Sequence, residues 1–91
     1  MNEFAHVLLD AELQRLRVLP YSELAKLVGA HQLKEVVGED ETLYRVRIEA
    51  NWDIAKKKSV RVLVSVDDGG WRALRPLSQG FVMRPDGTFV D

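Results

Sequence analysis

The chain has 91 residues, of which 46% are hydrophobic and 30% are charged, a composition typical of a single globular domain rather than of a disordered segment. Thirteen Lys and Arg against fourteen Asp and Glu give a net charge of −1, so no overall basic field favours a nucleic-acid backbone. The absence of cysteine excludes disulfides, thiolate metal sites and cysteine nucleophiles. No apolar run is long enough to span a bilayer or to act as an export signal, which predicts a soluble, cytoplasmic protein.

The first third of the chain predicts two helices. Residues 3–18 carry polar side chains at spacings of three and four, and the remaining circumference is apolar over an arc broader than one contact surface requires. Pro20 cannot continue this helix. A second, short helix is predicted over residues 22–28, with Ser22 as its N-cap and Gly29 as its left-handed stop.

Residues Tyr21–Gly29 have the sequence YSELAKLVG, which resembles the first helix and turn of bacterial helix-turn-helix DNA-binding domains. In those domains a recognition helix comes next. Here residues 33–37 predict a strand that runs into an acidic turn, so the second helix of that motif is missing. The resemblance implies no functional residue in this chain.

From residue 33 onward the apolar period changes from about 3.6 to 2, which is typical of strands. The predicted strands cover residues 33–37, 43–50, 59–66, 70–74, 81–84 and 88–90. Alternation places one set of residues on the core face: Tyr44, Val46, Ile48 and Ala50 of one strand, and Val60, Val62, Val64 and Val66 of the next.

Turn residues set the predicted connections between these strands. Asp68-Gly69 predicts a two-residue hairpin that pairs Val66 with Trp71 and Val64 with Ala73. Pro76 and Gly80 are expected to bracket a loop, and Pro85-Asp86-Gly87 a last turn. The chain is therefore predicted to be one α+β domain, residues 1–91, with two N-terminal helices packed on one face of a 4–6-stranded antiparallel meander sheet.

The chemistry-bearing residues point away from catalysis. Two histidines without cysteine partners do not supply the ligand set of a zinc site, and the acidic residues 39–41 lack the spacing of a calcium loop. The glycines do not form a phosphate-binding loop. Asp67-Asp68 is explained by a turn. We therefore expect no enzyme activity, no metal and no cofactor.

The face of the sheet opposite the valines is the candidate binding surface. Alternation brings arginines and leucines together on it, with Leu43, Glu49 and Ser65 beside the candidate site residues Arg45, Arg47, Arg61, Leu63, Arg72 and Leu74. This mixture favours a non-enzymatic protein–protein interaction or self-association module, with a homodimer or another protein as partner. The alternatives are a nucleic-acid-binding domain that uses the same arginines with the lysines at 56–58, which the net charge disfavours, and a face that is simply solvated.

Overall fold

The computed structural model describes residues 3–56, 58–69 and 76–90. Two helices come first, α1 (Glu3–Arg17) and α2 (Tyr21–Lys26), followed by the strands β1 (His31–Val37), β2 (Leu43–Trp52), β3 (Val60–Asp67) and β4 (Leu77–Met83). The strands form one antiparallel sheet in the order β1-β2-β3-β4. The predicted α+β class and meander sheet are confirmed, with four strands in the described part of the chain.

The face of the sheet that packs against the helices, called here the inner face, is lined by the predicted core residues. Tyr44, Val46, Ile48 and Ala50 are buried and alternate with exposed or half-buried residues along β2, and the four valines of β3 are fully buried. Cross-strand pairs such as Val46 with Val66 and Ile48 with Val64 bring the two apolar rows together. The predicted burial of both rows is confirmed.

Helix α1 packs on β2, β3 and β4 through Ala5, Leu9, Leu13 and Leu16, which follow one another at helical spacing. Val7, elsewhere on the broad apolar arc of α1, is exposed. None of the helices in the described ranges is long and apolar enough to cross a membrane.

The start of α2 differs from the prediction. The helix begins at Tyr21 rather than at residue 22, and its N-cap is Pro20, without a side-chain capping bond. The Pro20 carbonyl accepts hydrogen bonds from the backbone N–H groups of Glu23 and Leu24, at 3.0 and 3.2 Å, so the main chain itself starts the helix and the predicted Ser22 cap is wrong. Gly29 has the predicted positive φ, +84°.

The strand after α2 is β1, and no second helix follows within residues 31–37. A helix-turn-helix motif is therefore not formed at the segment that resembles one.

The strand that pairs with β3 at this edge of the sheet differs from the predicted one. The predicted strand 70–74, with Trp71 and Ala73, lies outside the described residues, and the positions facing Val64 and Val66 are taken by Gln79 and Leu77 of β4. Strand β4 begins at Leu77, so residues 77–80 belong to it and do not form the loop that was expected before the predicted strand 81–84.

Gly80 explains that error, because it is a glycine inside a strand. An added Cβ there would lie 2.2 Å from the Val62 carbonyl oxygen, so the close approach of β4 to β3 excludes any side chain. A glycine that usually indicates a loop here permits tight pairing between two strands.

The predicted terminal strand 88–90 is reduced to a single bridge between Met83 and Phe89. The preceding turn is as predicted, with Gly87 at a φ of +88°. The C-terminal segment is held to α1 by Arg17, whose guanidinium lies 5.5 Å from the centre of the Phe81 ring and 5.9 Å from that of Phe89.

Candidate functional site

The side of the sheet away from the helices, called here the outer face, collects exposed or half-buried side chains from neighbouring strands. The cross-strand register aligns them in rows across the sheet. From β1, β2 and β3 the outer face receives His31, Leu33, Glu35, Val37, Leu43, Arg45, Arg47, Glu49, Arg61, Leu63, Ser65 and Asp67.

Four of the six predicted site residues meet on this face. Arg45 and Arg47 are exposed on β2, and Arg61 and Leu63 are exposed on β3. The other two, Arg72 and Leu74, lie outside the described residues.

Leucines give the outer face an apolar component. Leu43 and Leu63 are each 39% exposed, and Leu33 is 54% exposed. Leu63 lies between Glu49 on β2 and Gly80 on β4. Because Gly80 has no side chain, one flank of Leu63 is open. The leucine contribution from β1 was not expected, since the candidate site was drawn from later strands.

The arginines of this face have acidic neighbours. Arg45 lies in register between Glu35 on β1 and Asp67 on β3. Arg47 lies between Leu33 and Ser65, and within the described part of the chain it forms no ion pair. The row of Arg45 therefore has an acidic residue on each side of the arginine, whereas the row of Arg47 contains no acidic residue.

A groove of about 560 Å³ crosses the outer face where β2 ends and β3 begins. Leu63, Gly80 and Val82 contribute apolar surface to it, and Val90 adds to this surface from the C-terminal segment. Its polar wall comes from β2 and from the connection between β2 and β3, with side chains that include Glu49, Asn51, Asp53 and Lys56.

The most buried charge in this groove is Asp53, whose side chain is 8% exposed. One carboxylate oxygen, Oδ1, accepts a hydrogen bond from the Ala55 backbone N–H at 3.3 Å and lies 3.5 Å from the guanidinium of Arg61. The Asp53 backbone N–H donates to the Ser59 carbonyl at 2.9 Å, which continues the pairing of β2 with β3. Asp53 thus fixes the connection beside the groove and partly neutralises Arg61.

Sequence reasoning missed Asp53, because it lies in the segment between the predicted strands 43–50 and 59–66, where no functional residue was expected. The local signal is an aspartate that accepts a hydrogen bond from the backbone N–H two residues later, here that of Ala55. This turn pattern is common and does not indicate burial of the aspartate.

The histidine of this face lies beside a carboxylate. His31 Nδ1 lies 3.7 Å from a carboxylate oxygen of Glu49, and the row continues through Leu63 and Gly80, neither of which has a hydroxyl group. Within the described ranges no group of three or more His, Asp or Glu side chains is arranged to hold a metal ion.

Strand β1 is also tied to α1 by an ion pair on its inner side. Lys34 Nζ lies 2.9 Å from Glu12 Oε1, and Arg15 bonds the same carboxylate. Partial burial opposes ionisation of Glu12, but the hydrogen bonds from Arg15 and Lys34 outweigh it and hold the pKa of Glu12 below its ordinary value. The ammonium group of Lys34 is thereby drawn towards the helix.

Comparisons of the chain with protein-family models, with curated proteins and with solved structures gave no significant match. Function is therefore argued from the residues and geometry of the chain itself.

Proposed function

We propose that this chain is a non-enzymatic protein–protein interaction module whose contact surface is the outer face, with self-association as its simplest form. The observation that carries the proposal is the exposed leucine set on a sheet face that the two helices leave uncovered. Leu43 and Leu63 are each 39% exposed there, beside arginines and carboxylates of the same strands.

The composition of the outer face fits a protein partner. Protein interfaces combine an apolar centre with a polar rim, and arginine is enriched in them. Leu63 is flanked by open space over Gly80, and Arg47 and Arg61 lie on either side of its row. Each Å² of leucine surface buried in the contact would stabilise the complex by about 25 cal/mol. The charged groups would set the orientation of the two partners.

Nucleic-acid binding remains the second candidate, because Arg45, Arg47 and Arg61 are all exposed on one face. The neighbouring acids argue against it. Glu35 and Asp67 flank Arg45, and Asp53 lies 3.5 Å from Arg61, so a phosphate backbone would meet carboxylates beside two of the three arginines. A protein surface with both signs of charge is the better match.

The test is the solution mass as a function of concentration, measured by light scattering and sedimentation. Leu63→Asp should lower the association state, since it places unpaired charge at the apolar centre of the contact. Ser65→Asp is the matched control, because it adds the same charge two residues further along the same face, at a position that is already polar.

Equal masses for the parent and Leu63→Asp would contradict the proposed contact. Binding to a mixed-sequence oligonucleotide that weakens steeply between 50 and about 200 mM salt would support the nucleic-acid alternative instead. The double variant Leu63→Asp, Leu74→Asp extends the test to the second predicted leucine.

A further inference from the structure

We propose that a second copy of this chain joins the sheet at the open edge of β1, antiparallel to it, around a two-fold axis at Leu33. The contact uses the backbone edge of β1 and not the surface of the outer face, so it goes beyond the proposed function. It would produce a continuous eight-stranded sheet from two chains.

The two edges of the sheet differ in what covers them. At β4 the C-terminal segment returns along the strand: the Val90 N–H donates to the Val82 carbonyl at 2.9 Å, and Phe89 forms a bridge with Met83. Strand β1 is paired regularly with β2 over seven residues, and among the described residues no strand lies on its other side. It contains neither proline nor glycine, the residues that commonly interrupt an edge.

The hydrogen-bond pattern identifies the free backbone groups of this edge. The Gly38 N–H donates to the Thr42 carbonyl at 2.9 Å, which makes this pair a hydrogen-bonded one. Pairs alternate along an antiparallel ladder, so Gln32, Lys34 and Val36 are the residues of β1 that bond to β2. The backbone groups of the odd-numbered residues, Leu33 and Glu35 among them, consequently face away from the sheet.

Only registers that align odd-numbered residues with odd-numbered residues can use these groups. An axis at Lys34 would place the two lysines opposite each other and Leu33 opposite Glu35. An axis at Glu35 would place two carboxylates opposite each other, which is unfavourable.

An axis at Leu33 avoids both conflicts. It aligns Leu33 with Leu33 of the second copy, His31 with Glu35 of the second copy, and Gln32 with Lys34 of the second copy. None of these pairs places like charges opposite each other or a charge opposite a leucine. Because the contact is symmetric, the His31–Glu35 and Gln32–Lys34 pairs each occur twice. This agreement of charge and polarity selects the second copy as the occupant of the edge.

The side chains of β1 are available for this arrangement. Leu33 is 54% exposed, and the side chain of His31 is 68% exposed. His31 Nδ1 faces Glu49 at 3.7 Å, which leaves Nε2 for the carboxylate of the second copy. Lys34, the charged residue that would best protect an edge, is held by Glu12 of α1 at 2.9 Å.

The experiment measures mass in the Leu63→Asp background, where the outer-face contact of the proposed function is removed. We expect this variant to remain a dimer at high micromolar concentration, and Leu33→Pro added to it to give a monomer. Proline removes an N–H that faces away from β2, so the β1–β2 bonds are kept, and circular dichroism verifies the fold. A monomeric Leu63→Asp protein, or a dimer insensitive to Leu33→Pro, overturns the edge contact while leaving the outer-face proposal to its own test.

A charge exchange tests the register without touching the backbone. Glu35→Lys and His31→Glu should each weaken the dimer by about tenfold, since each bad pair occurs twice in a symmetric contact. The double variant should restore dimerisation. Within one chain, however, Glu35→Lys places a lysine opposite Arg45, and His31→Glu places a glutamate opposite Glu49, so recovery cannot come from contacts inside the chain. Failure of the double variant to recover dimerisation would exclude the axis at Leu33.

Hydrogen exchange supplies an independent readout. In the dimer the amides of Leu33 and Glu35 should exchange more slowly than in the same protein diluted until it is monomeric, whereas those of Gln32 and Lys34 should change little. Protection of the even-numbered amides alone would contradict the proposed edge.

Discussion

Removal of two methyl groups from Val64 tests the register on which both faces of the sheet depend. Val64 is fully buried on the inner face, between Ile48 on β2 and Gln79 on β4. Val64→Ala loses about 0.8 kcal/mol of transfer free energy for each methyl, or roughly 1.6 kcal/mol, and the cavity adds to this. The expected loss of unfolding free energy is about 2 kcal/mol, a large share of the roughly 5–13 kcal/mol available to a domain of this size.

Thermal and urea unfolding measure this loss. A change of about 2 kcal/mol should lower the Tm by roughly 8–16 °C in a domain of this length. Leu63→Ala is the matched control, because Leu63 is the adjacent residue on the opposite face and is 39% exposed. The register is refuted if the two variants lose equal stability or if Leu63→Ala loses more, since a slip of one residue would exchange their environments.

Two further changes test individual contacts. Gly80→Ala should cost about 1–3 kcal/mol, because the methyl group would meet the Val62 carbonyl oxygen at 2.2 Å, whereas Ser78→Ala on the same strand should be nearly neutral in unfolding experiments. The pKa of Glu12 is lowered in the folded chain, so its ionisation stabilises the fold above pH 4.5, the ordinary value, and this contribution is lost as the pH falls through the folded pKa. Glu12→Gln should therefore be less stable than the parent at pH 7, with unfolding curves that converge near pH 2; a constant difference between the two pH values would contradict this.

Alternation made the inner face predictable from the sequence. Each valine of β3 is two residues from the next, and the same period in β2 puts Tyr44 and Ile48 on the same side. A pattern of period two states which residues share a face, and this also placed Arg45, Arg47 and Arg61 together on the outer face.

The partner of each strand is less accessible to such reasoning. Val66 was assigned to Trp71 because Asp68-Gly69 is a common hairpin turn, yet its partner on β4 is Leu77. Periodicity gives no information about how far along the chain the next strand begins. Gly80 was a misleading signal, since its function in the strand depends on the distance to Val62 rather than on its own conformational preference.

The groove and the β1 edge follow from tertiary arrangement and could not be derived from local patterns. Asp53 is buried because the connection after β2 folds back on the sheet, and Lys34 is held by a carboxylate 22 residues earlier in the chain. Contacts of this kind link segments whose individual sequences do not specify one another.

The place of α1 in the chain has a consequence for synthesis on the ribosome. Its apolar stripe packs chiefly on β3 and β4, the third and fourth of the described strands, and β4 is complete about 65 residues after the helix ends, or roughly 3–13 s later. The β1–β2 hairpin can form earlier from neighbouring residues, because its pairing is local. During elongation the apolar stripe of α1 therefore stays exposed until β3 and β4 leave the exit tunnel. In this interval chaperones and neighbouring nascent chains can bind it.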